Sequence, residues 1–393
     1  MTDLSGLHIL IVPAWWPSAE APISGIFHTD YARAFASAGA RVGVVVPDLV
    51  SVRHLGRGTK IPLWPKLIQE DMDGIPVIRI RGLHTAMRMP WVQMVRFRRW
   101  LRRGFSAYVE RFGRPDVLHA MCSIPAGWAC THLADPLSAR VVVTDNTGPF
   151  SLAMTPSGAA GYVRAALARA AAVVAVSELS RRQMEAEGIA RDIAVHGNCV
   201  PDAFLSAGVR PGKSEGSWRG LFVGRLTEAK GVGELIDAAV ALVSEFDVEW
   251  HFVGDGPMAT TVQEQSSARG LEGRFTLHGV CDRRTVLEMM ANSDFMVLPS
   301  HGESFGMVVA EALCMGLPVV TTRQTACAAF VGEDDGIVVE MRNVESLTCG
   351  LRRMIERLAT YDRPAIAERA RLRFSSEALA RWYGELFRRI LDR

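Results

Sequence analysis

Short apolar runs alternate along the whole chain with stretches in which apolar residues recur every three to four positions. The two periods predict strands and amphipathic helices in turn. In the first half, strands are expected at Leu7–Val12, Val42–Val46, Val117–His119, Val141–Thr144, Val173–Val176 and Ile193–Val195. In the second half they are expected at Gly220–Val223, Trp250–Val253, Phe275–Leu277, Phe295–Leu298, Val319–Thr321 and Ile337–Val339. Continuous apolar runs suit strands covered on both faces, as in parallel sheets with crossover helices. Two such series predict two doubly wound α/β domains, joined near Pro201–Ser217, where turn residues cluster without periodicity. Ligands of such sheets sit beyond the carboxyl ends of the strands, so a cleft between the domains is the expected site. The final segment, Ser375–Arg393, reads as an amphipathic helix with Leu379, Trp382, Leu386, Phe387 and Ile390 on one face.

Composition narrows the class. At 393 residues the chain exceeds one ordinary core. With 49% hydrophobic and 22% charged residues it is an ordinary folded chain, and a net charge of +2 gives no global nucleic-acid signature. Seven cysteines, with no C-x-x-C pair, argue for reduced thiols in the cytoplasm and against a zinc site or disulfide framework. The N-terminus, M-T-D-L-S-G, has no basic region of the secretory kind, and no run is long and charge-free enough to span a bilayer.

One break in the pattern carries chemistry. Between Ser304 and Thr322 the only charged residue is Glu311, and Glu303 stands just before the stretch. A carboxylate in apolar surroundings needs a polar partner. Either Glu311 meets a buried donor of the protein itself, or it receives a ligand with paired hydroxyls such as ribose. At about 1.5 Å of helix rise per residue, the two carboxylates lie on the order of 10 Å apart. That is too far to share a proton, but it matches the span from sugar to ribose in a nucleotide sugar.

Two loops offer sites for anions. Gly220–Val223 runs into G-R-L-T-E-A-K-G (Gly224–Gly231), which puts Arg225 and Lys230 on a strand-to-helix loop. An arginine fork with a lysine point charge suits a diphosphate, although lone surface charges would look the same. H-G-E-S-F-G (His301–Gly306) opens the helix of Glu311, and N–H groups at a helix start can donate to phosphate. Gly25, in P-I-S-G-I-F after the first strand, would let backbone approach a phosphate from the other domain.

A basic aromatic stretch runs from Arg79 to Arg114, with ten arginines, one acid (Glu110) and Trp91, Phe97, Trp100, Phe105 and Tyr108 interleaved. Its core from Met94 predicts a cationic amphipathic helix. Such a helix either docks on an anionic membrane through Arg88–Arg114 or covers the protein with its aromatics turned inward.

Five motifs of the second half resemble the retaining family 4 glycosyltransferases of GT-B fold. They are G-R-L-x-x-x-K-G (Gly224–Gly231), G-D-G-P (Gly254–Pro257), A-N-S-D-F (Ala291–Phe295), E-S-F-G-x-x-x-x-E-A (Glu303–Ala312) and G-L-P-V-V (Gly316–Val320). In the first half, W-W-P-S (Trp15–Ser18), the Gly25–Phe27 loop, D-V-L-H-A (Asp116–Ala120) and T-G-P-F (Thr147–Phe150) resemble members that build bacterial surface polysaccharides and glycolipids. The resemblance implies two Rossmann-like domains with a cleft between them. Residues 1–200 would bind acceptor and 201–374 donor, with 375–393 a helix packing back on the first domain. It implies sugar transfer with retention from a nucleotide diphosphate sugar, uridine or guanosine being the favoured base. The acceptor would be lipid-linked or an oligosaccharide, at the inner face of the cytoplasmic membrane, with no metal, tightly bound cofactor or nucleic acid. Arg225 and Lys230 match the diphosphate contacts, Glu311 the ribose contact and Glu303 the donor-sugar contact. Main chain near Val280–Asp282 matches the base contact. Gly25, Gly224, Gly254, Ser304, Phe305 and Gly306 complete the donor set, and Asp145, Asn146 and Thr147 stand on the acceptor side.

Three departures stand out. Many relatives read H-A-H where this chain has His119-Ala120-Met121, which makes His119 the substitute catalytic candidate; a two-residue shift keeps the strand face but moves the side chain by about 7 Å. N-G-V-D becomes N-C-V-P-D (Asn198–Asp202), and G-G-P-E becomes Q-T-A-C (Gln324–Cys327). These leave room for a nucleotide-sugar-binding scaffold, and the architecture also admits a sugar-nucleotide epimerase.

Overall fold

The computed structural model describes residues 4–392 apart from 52–60, 63, 85–88, 134–138, 156–158, 213–216, 270 and 272. The chain divides into two compact units, Met1–Cys199 with Ser376–Arg393, and Val200–Ser375.

Each of the twelve predicted strands forms. In unit 1 the strands are β1 (His8–Pro13), β2 (Arg41–Ser51), β3 (Lys66–Met72), β4 (Ile75–His84), β5 (Val117–Met121), β6 (Arg140–Asp145), β7 (Ala172–Ala175) and β8 (Ala194–Val195). They form one sheet in the order β3-β4-β2-β1-β5-β6-β7-β8, parallel except that β3 runs antiparallel to β4. Alternation sends β1 side chains to two cores. Leu10 and Val12 join the core under helix Pro90–Phe112, while Ile9 and Ile11 join the one under helices Ile26–Ser37 and Ser376–Leu391. The C-terminal helix thus belongs to the first unit and supplies Leu379, Tyr383, Leu386 and Phe387 to its core.

The β3–β4 hairpin was not expected. Arg79 and Arg81 lie on β4 and not on the cationic helix. Arg79 is 6% exposed and bonds Glu70 on β3, Asp48 on β2 and the Pro17 carbonyl; Arg81 bonds Asp48 and Glu20. These two charges are neutralised and add nothing to a cationic surface. The helix Pro90–Phe112 forms as predicted, and its buried face takes Phe97, Trp100, Phe105 and Tyr108, leaving Trp91 at 57% exposure. Four of the five interleaved aromatics therefore pack inward. Arg88, which opened the expected membrane segment, lies outside the described residues.

Unit 2 holds β9 (Trp218–Val223), β10 (Val248–Val253), β11 (Phe275–Leu277), β12 (Phe295–Leu298), β13 (Val319–Thr322) and β14 (Gly336–Val339). All are parallel, in the order β11-β10-β9-β12-β13-β14. The order reverses between β9 and β12, so the loops leaving those two strands flank the crevice where such sheets bind ligands. In unit 1 the reversal falls between β1 and β5.

Candidate functional site

In unit 2 the two loops at the reversal are tied together. Ser300 Oγ (3.2 Å) and His301 N (2.9 Å) both donate to the Ala229 carbonyl. Gly231 takes φ 69 and starts helix Val232–Leu242; a Cβ there would lie 2.1 Å from the Pro299 carbonyl oxygen. Only glycine permits that approach. The stitching brings Lys230 Nζ onto Glu303 Oε1, with side-chain exposures of 28% and 14%. Arg225 is exposed; its carbonyl accepts from Thr227 N at 2.9 Å, and its guanidinium makes no hydrogen bond or ion pair among the described residues.

Behind this pair the third loop at that edge acts as a brace. Gly224 N donates to the Val253 carbonyl and Leu226 N to the Asp255 carbonyl. Gly254, at φ 131, would carry a Cβ 1.9 Å from the Gly224 carbonyl oxygen. Gly254 and Gly224 thus shape the arginine loop through backbone contact. Gly306, at φ 89, opens helix Met307–Cys314, and its Cβ would lie 2.1 Å from Cys327 Sγ. The first N–H groups of that helix have no intrahelical acceptor, which makes its start an anion-favouring end.

Sequence reasoning overlooked the role of His301. Arg342 Nε lies 3.3 Å from His301 Nδ1, and Glu234 Oε1 lies 2.7 Å from Nε2. Arginine only donates, so Nδ1 accepts and Nε2–H donates to the carboxylate. The H-G-E-S-F-G motif gave a signal for it, but its partners sit 67 and 41 residues away.

Glu311 is 7% exposed on helix Met307–Cys314. It has a partner within the protein, so burial alone does not require a ligand. Ser304 is likewise engaged, and Phe305 is buried. Val280 is 60% exposed. Asp282 uses its carboxylate to cap helix Arg283–Ala291, accepting from Thr285 N at 2.8 Å, and that bond leads the causes holding its acid below the usual range. The Q-T-A-C loop packs against the Glu303 loop. Ala326 N donates to the Glu303 carbonyl, and the buried Cys327 thiol lies against the Phe305 carbonyl. Burial pushes the Cys327 thiol up to about 12, so it stays protonated.

In unit 1 the expected residues part company. Gly25, at φ 68, is covered by the Trp15 carbonyl, 2.5 Å from where a Cβ would sit. His119, expected as a catalytic group, lies in the core of unit 1. It is fully buried on the β5 face it shares with Val117 and Met121, and it packs among Tyr31, Phe35, Tyr383 and Phe387. Nε2 lies 2.7 Å from Thr144 Oγ1, and desolvation depresses the ring's pKa to about 3. The two-residue shift kept the face, and that face is core. Asp145, expected on the acceptor side, is buried at the end of β6. Its carboxylate accepts from Ser123 N and Oγ and from Thr147 N, so it braces the turn. Asn146 is half-buried and engaged, and the Thr147 side chain is half-buried beside it. At the carboxyl ends of β1 and β2 a recess of about 300 Å³ is lined by Trp15, Trp16, Glu20, Asp48 and Gln93 among others.

Among the described residues no group of three or more His, Cys, Asp or Glu is arranged to hold a metal ion, and no helix is long and apolar enough to cross a membrane.

Two family models match the chain in succession. "Glycosyltransferase Family 4" matches residues 26–204, and "Glycosyl transferases group 1" matches residues 219–357. The chain is a family 4-like glycosyltransferase. A glycosyltransferase of Bacillus subtilis named for teichuronic acid biosynthesis is 24% identical, over 88% of this chain and 89% of its own. The alpha-D-kanosaminyltransferase of Streptomyces kanamyceticus is 27% identical over 57% of this chain and 62% of its own. Among solved structures, sucrose-phosphate synthase from Thermosynechococcus elongatus covers 98% of this chain and 99% of its own at TM-score 0.73 and 18% identity. An Anabaena protein in complex with UDP covers 98% and 100% at TM-score 0.72 and 17% identity. The glycosyltransferase has the GT-B fold, two Rossmann-like α/β domains built on parallel sheets.

Proposed function

We propose that this glycosyltransferase moves a sugar from a nucleotide diphosphate sugar, with retention and without a metal, to a glycolipid or growing surface polysaccharide. The observation that carries the reading is the convergence of Lys230, Glu303, Arg225 and the start of helix Met307–Cys314 at the reversal point of one sheet. A departing diphosphate needs positive charge and oriented N–H dipoles that are already in place. Lys230 and Arg225 supply the charge, and the backbone after Gly306 supplies the dipoles. Glu303 orients Lys230 before donor arrives and takes a sugar hydroxyl afterwards. Glu311 takes the ribose by exchanging its present partner for the hydroxyl pair. The main chain at Val280–Asp282 meets the base, which leaves the base itself open between uridine and guanosine. The Anabaena relative's complex with UDP supports a nucleotide ligand, and the teichuronic acid relative supports a polysaccharide product. On the acceptor side, Trp15 and Trp16 in the unit 1 recess offer apolar faces to a sugar ring. We place the reaction at an anionic membrane surface, reached through the arginine helix.

A second reading, a scaffold that binds donor without turnover, draws support from His119 and Met121. Both are fully buried, so neither can act on a donor sugar. Incubation with labelled uridine and guanosine diphosphate sugars decides between them. Slow release of free sugar, abolished in Lys230→Ala, is expected of the transferase. Binding with no turnover, even with lipid acceptors present, would establish the scaffold.

A further inference from the structure

Helix Pro90–Phe112 has a second stripe beside its buried one. Val95, Arg98, Arg99, Arg102, Ser106 and Val109 line a groove of about 770 Å³, completed by Phe105, Glu110, Arg114, His132 and Leu133. The arginines in it differ from those elsewhere on the helix. Arg96 meets His84, Arg103 the Pro65 carbonyl and Arg111 Gln69. By contrast, the guanidinium groups of Arg99, Arg102 and Arg114 make no hydrogen bond or ion pair among the described residues; Arg114 meets His8 only through its carbonyl. Arg98 has only a cation–π contact, its Cζ 5.3 Å from the Trp128 ring centre. Glu110 pairs with none of them. His132 stacks on Trp128 with 4.7 Å between ring centres, and burial holds its imidazole toward the neutral form.

Four guanidinium groups share one concavity with a single carboxylate, Glu110, and a bound anion relieves the repulsion that remains. Guanidinium forks fit phosphate oxygens with paired N–H donors. The wall also carries four apolar side chains, Val95, Phe105, Val109 and Leu133, beside Ser106, Glu110 and His132. A free inorganic anion has no use for such a wall, whereas an anion on a hydrocarbon stem does. One turn before Val95 the helix carries Trp91 at its exposed start, where Met89 and Trp91 are 51% and 57% exposed. A tryptophan in that position suits the interface of a bilayer.

We propose that this groove is a stoichiometric site for the phosphate headgroup of an anionic lipid, with the first carbons of its chains along Val95 and Leu133. The proposal refines the membrane placement above and is independent of the donor chemistry in unit 2.

The test titrates the full chain with dihexanoyl phosphatidic acid below its micelle concentration, by calorimetry. Dihexanoyl phosphatidylcholine and inorganic phosphate serve as the other arms. One-to-one binding of phosphatidic acid, tighter than either, is expected. The pair Arg99→Glu with Arg102→Glu should weaken it by about tenfold or more. The pair Arg103→Glu with Arg111→Glu makes the same charge change on the same helix outside the groove and should leave affinity within about twofold. Equal losses in both pairs would show a diffuse field and overturn the site, as would phosphate or phosphatidylcholine binding as tightly as the acid. Adsorption to anionic vesicles without binding of the short-chain lipid would keep the membrane placement and sink the groove. Melting temperature and donor hydrolysis of the groove variant should match the parent.

Discussion

At the reversal between β9 and β12 the chain brings Arg225, Lys230 and Glu303 toward solvent, whereas at the reversal between β1 and β5 it buries His119, and His28 just after β1, away from it. Both edges obey the same topological rule, and both first loops rely on a glycine at positive φ, Gly231 and Gly25. What separates them is cover. In unit 1 the returning helix Ser376–Leu391 lays Tyr383 and Phe387 over His119, so a residue on that strand face becomes core. In unit 2 the charged residues stand on the loops themselves, beyond the sheet and its covering helices. A fold rule thus locates an edge. Whether the edge does chemistry depends on whether its polar groups sit on the strand or past its end.

The strongest way to break this comparison is Lys230→Ala. If Lys230 supplies the fixed charge proposed for the leaving diphosphate, its loss should cost transfer about two to three orders of magnitude, with the melting temperature nearly unchanged. Near-normal turnover in single-turnover assays would remove unit 2's claim to the chemistry. The matching change in unit 1, His119→Ala, should behave in the opposite way. A cavity among Tyr31, Phe35, Tyr383 and Phe387 should cost about 2–4 kcal/mol of stability by denaturant unfolding. Turnover per folded molecule should stay within about twofold. A large loss of turnover at intact stability would return His119 to a catalytic role.

How far the sequence led is clear from individual residues. Val, Ile and Leu runs identified the strands because burial on both faces leaves no polar trace. The β3–β4 hairpin escaped for the opposite reason: Arg79 and Arg81 made β4 look like part of a cationic segment. Its signal was the Asp73–Gly74 turn, a dipeptide suited to a tight hairpin, with Asp73 at φ 55 and Gly74 at φ 85. What could not be read was partnership. Nothing in G-R-L-T-E-A-K-G shows that Lys230 meets Glu303, 73 positions later. Nor does His119-Ala120-Met121 show that a helix 239 residues beyond Thr144 supplies the Tyr383 hydroxyl to the same polar chain. For Asp145, a carboxylate after a strand looks the same whether it faces a substrate or holds Ser123 and Thr147.

Gly254→Ala sharpens the unit 2 side with a smaller effect. A methyl 1.9 Å from the Gly224 carbonyl oxygen, at φ 131, must push the arginine loop away. We expect a cost of about 1–3 kcal/mol. The thermal shift on adding nucleoside diphosphate should shrink with it, and an unchanged shift would mean that the brace is dispensable.

Acid should separate the two edges most gently. His28 donates from Nδ1 to the Trp15 carbonyl at 2.8 Å, and burial lowers its pKa to about 4; that of His119 falls to about 3. Both rings are therefore neutral in the folded unit at neutral pH. An unfolded chain begins to protonate them near the ordinary value of about 6.5. Below that pH the unfolded state holds more protons, so unit 1 loses stability as pH falls, and the loss levels off only below about 3. At pH 6 the two rings together should cost about 1–2 kcal/mol relative to pH 8. Unfolding followed between these pH values checks the size. His119→Gln should remove about half of the share due to these two rings, since the amide does not titrate, and leave the shares of His8, His84 and His132, whose pKa values burial also lowers. An unchanged slope in that variant would mean that His119 is already reachable by solvent protons, and the contrast between a sealed edge and an open one would fail at its sealed end.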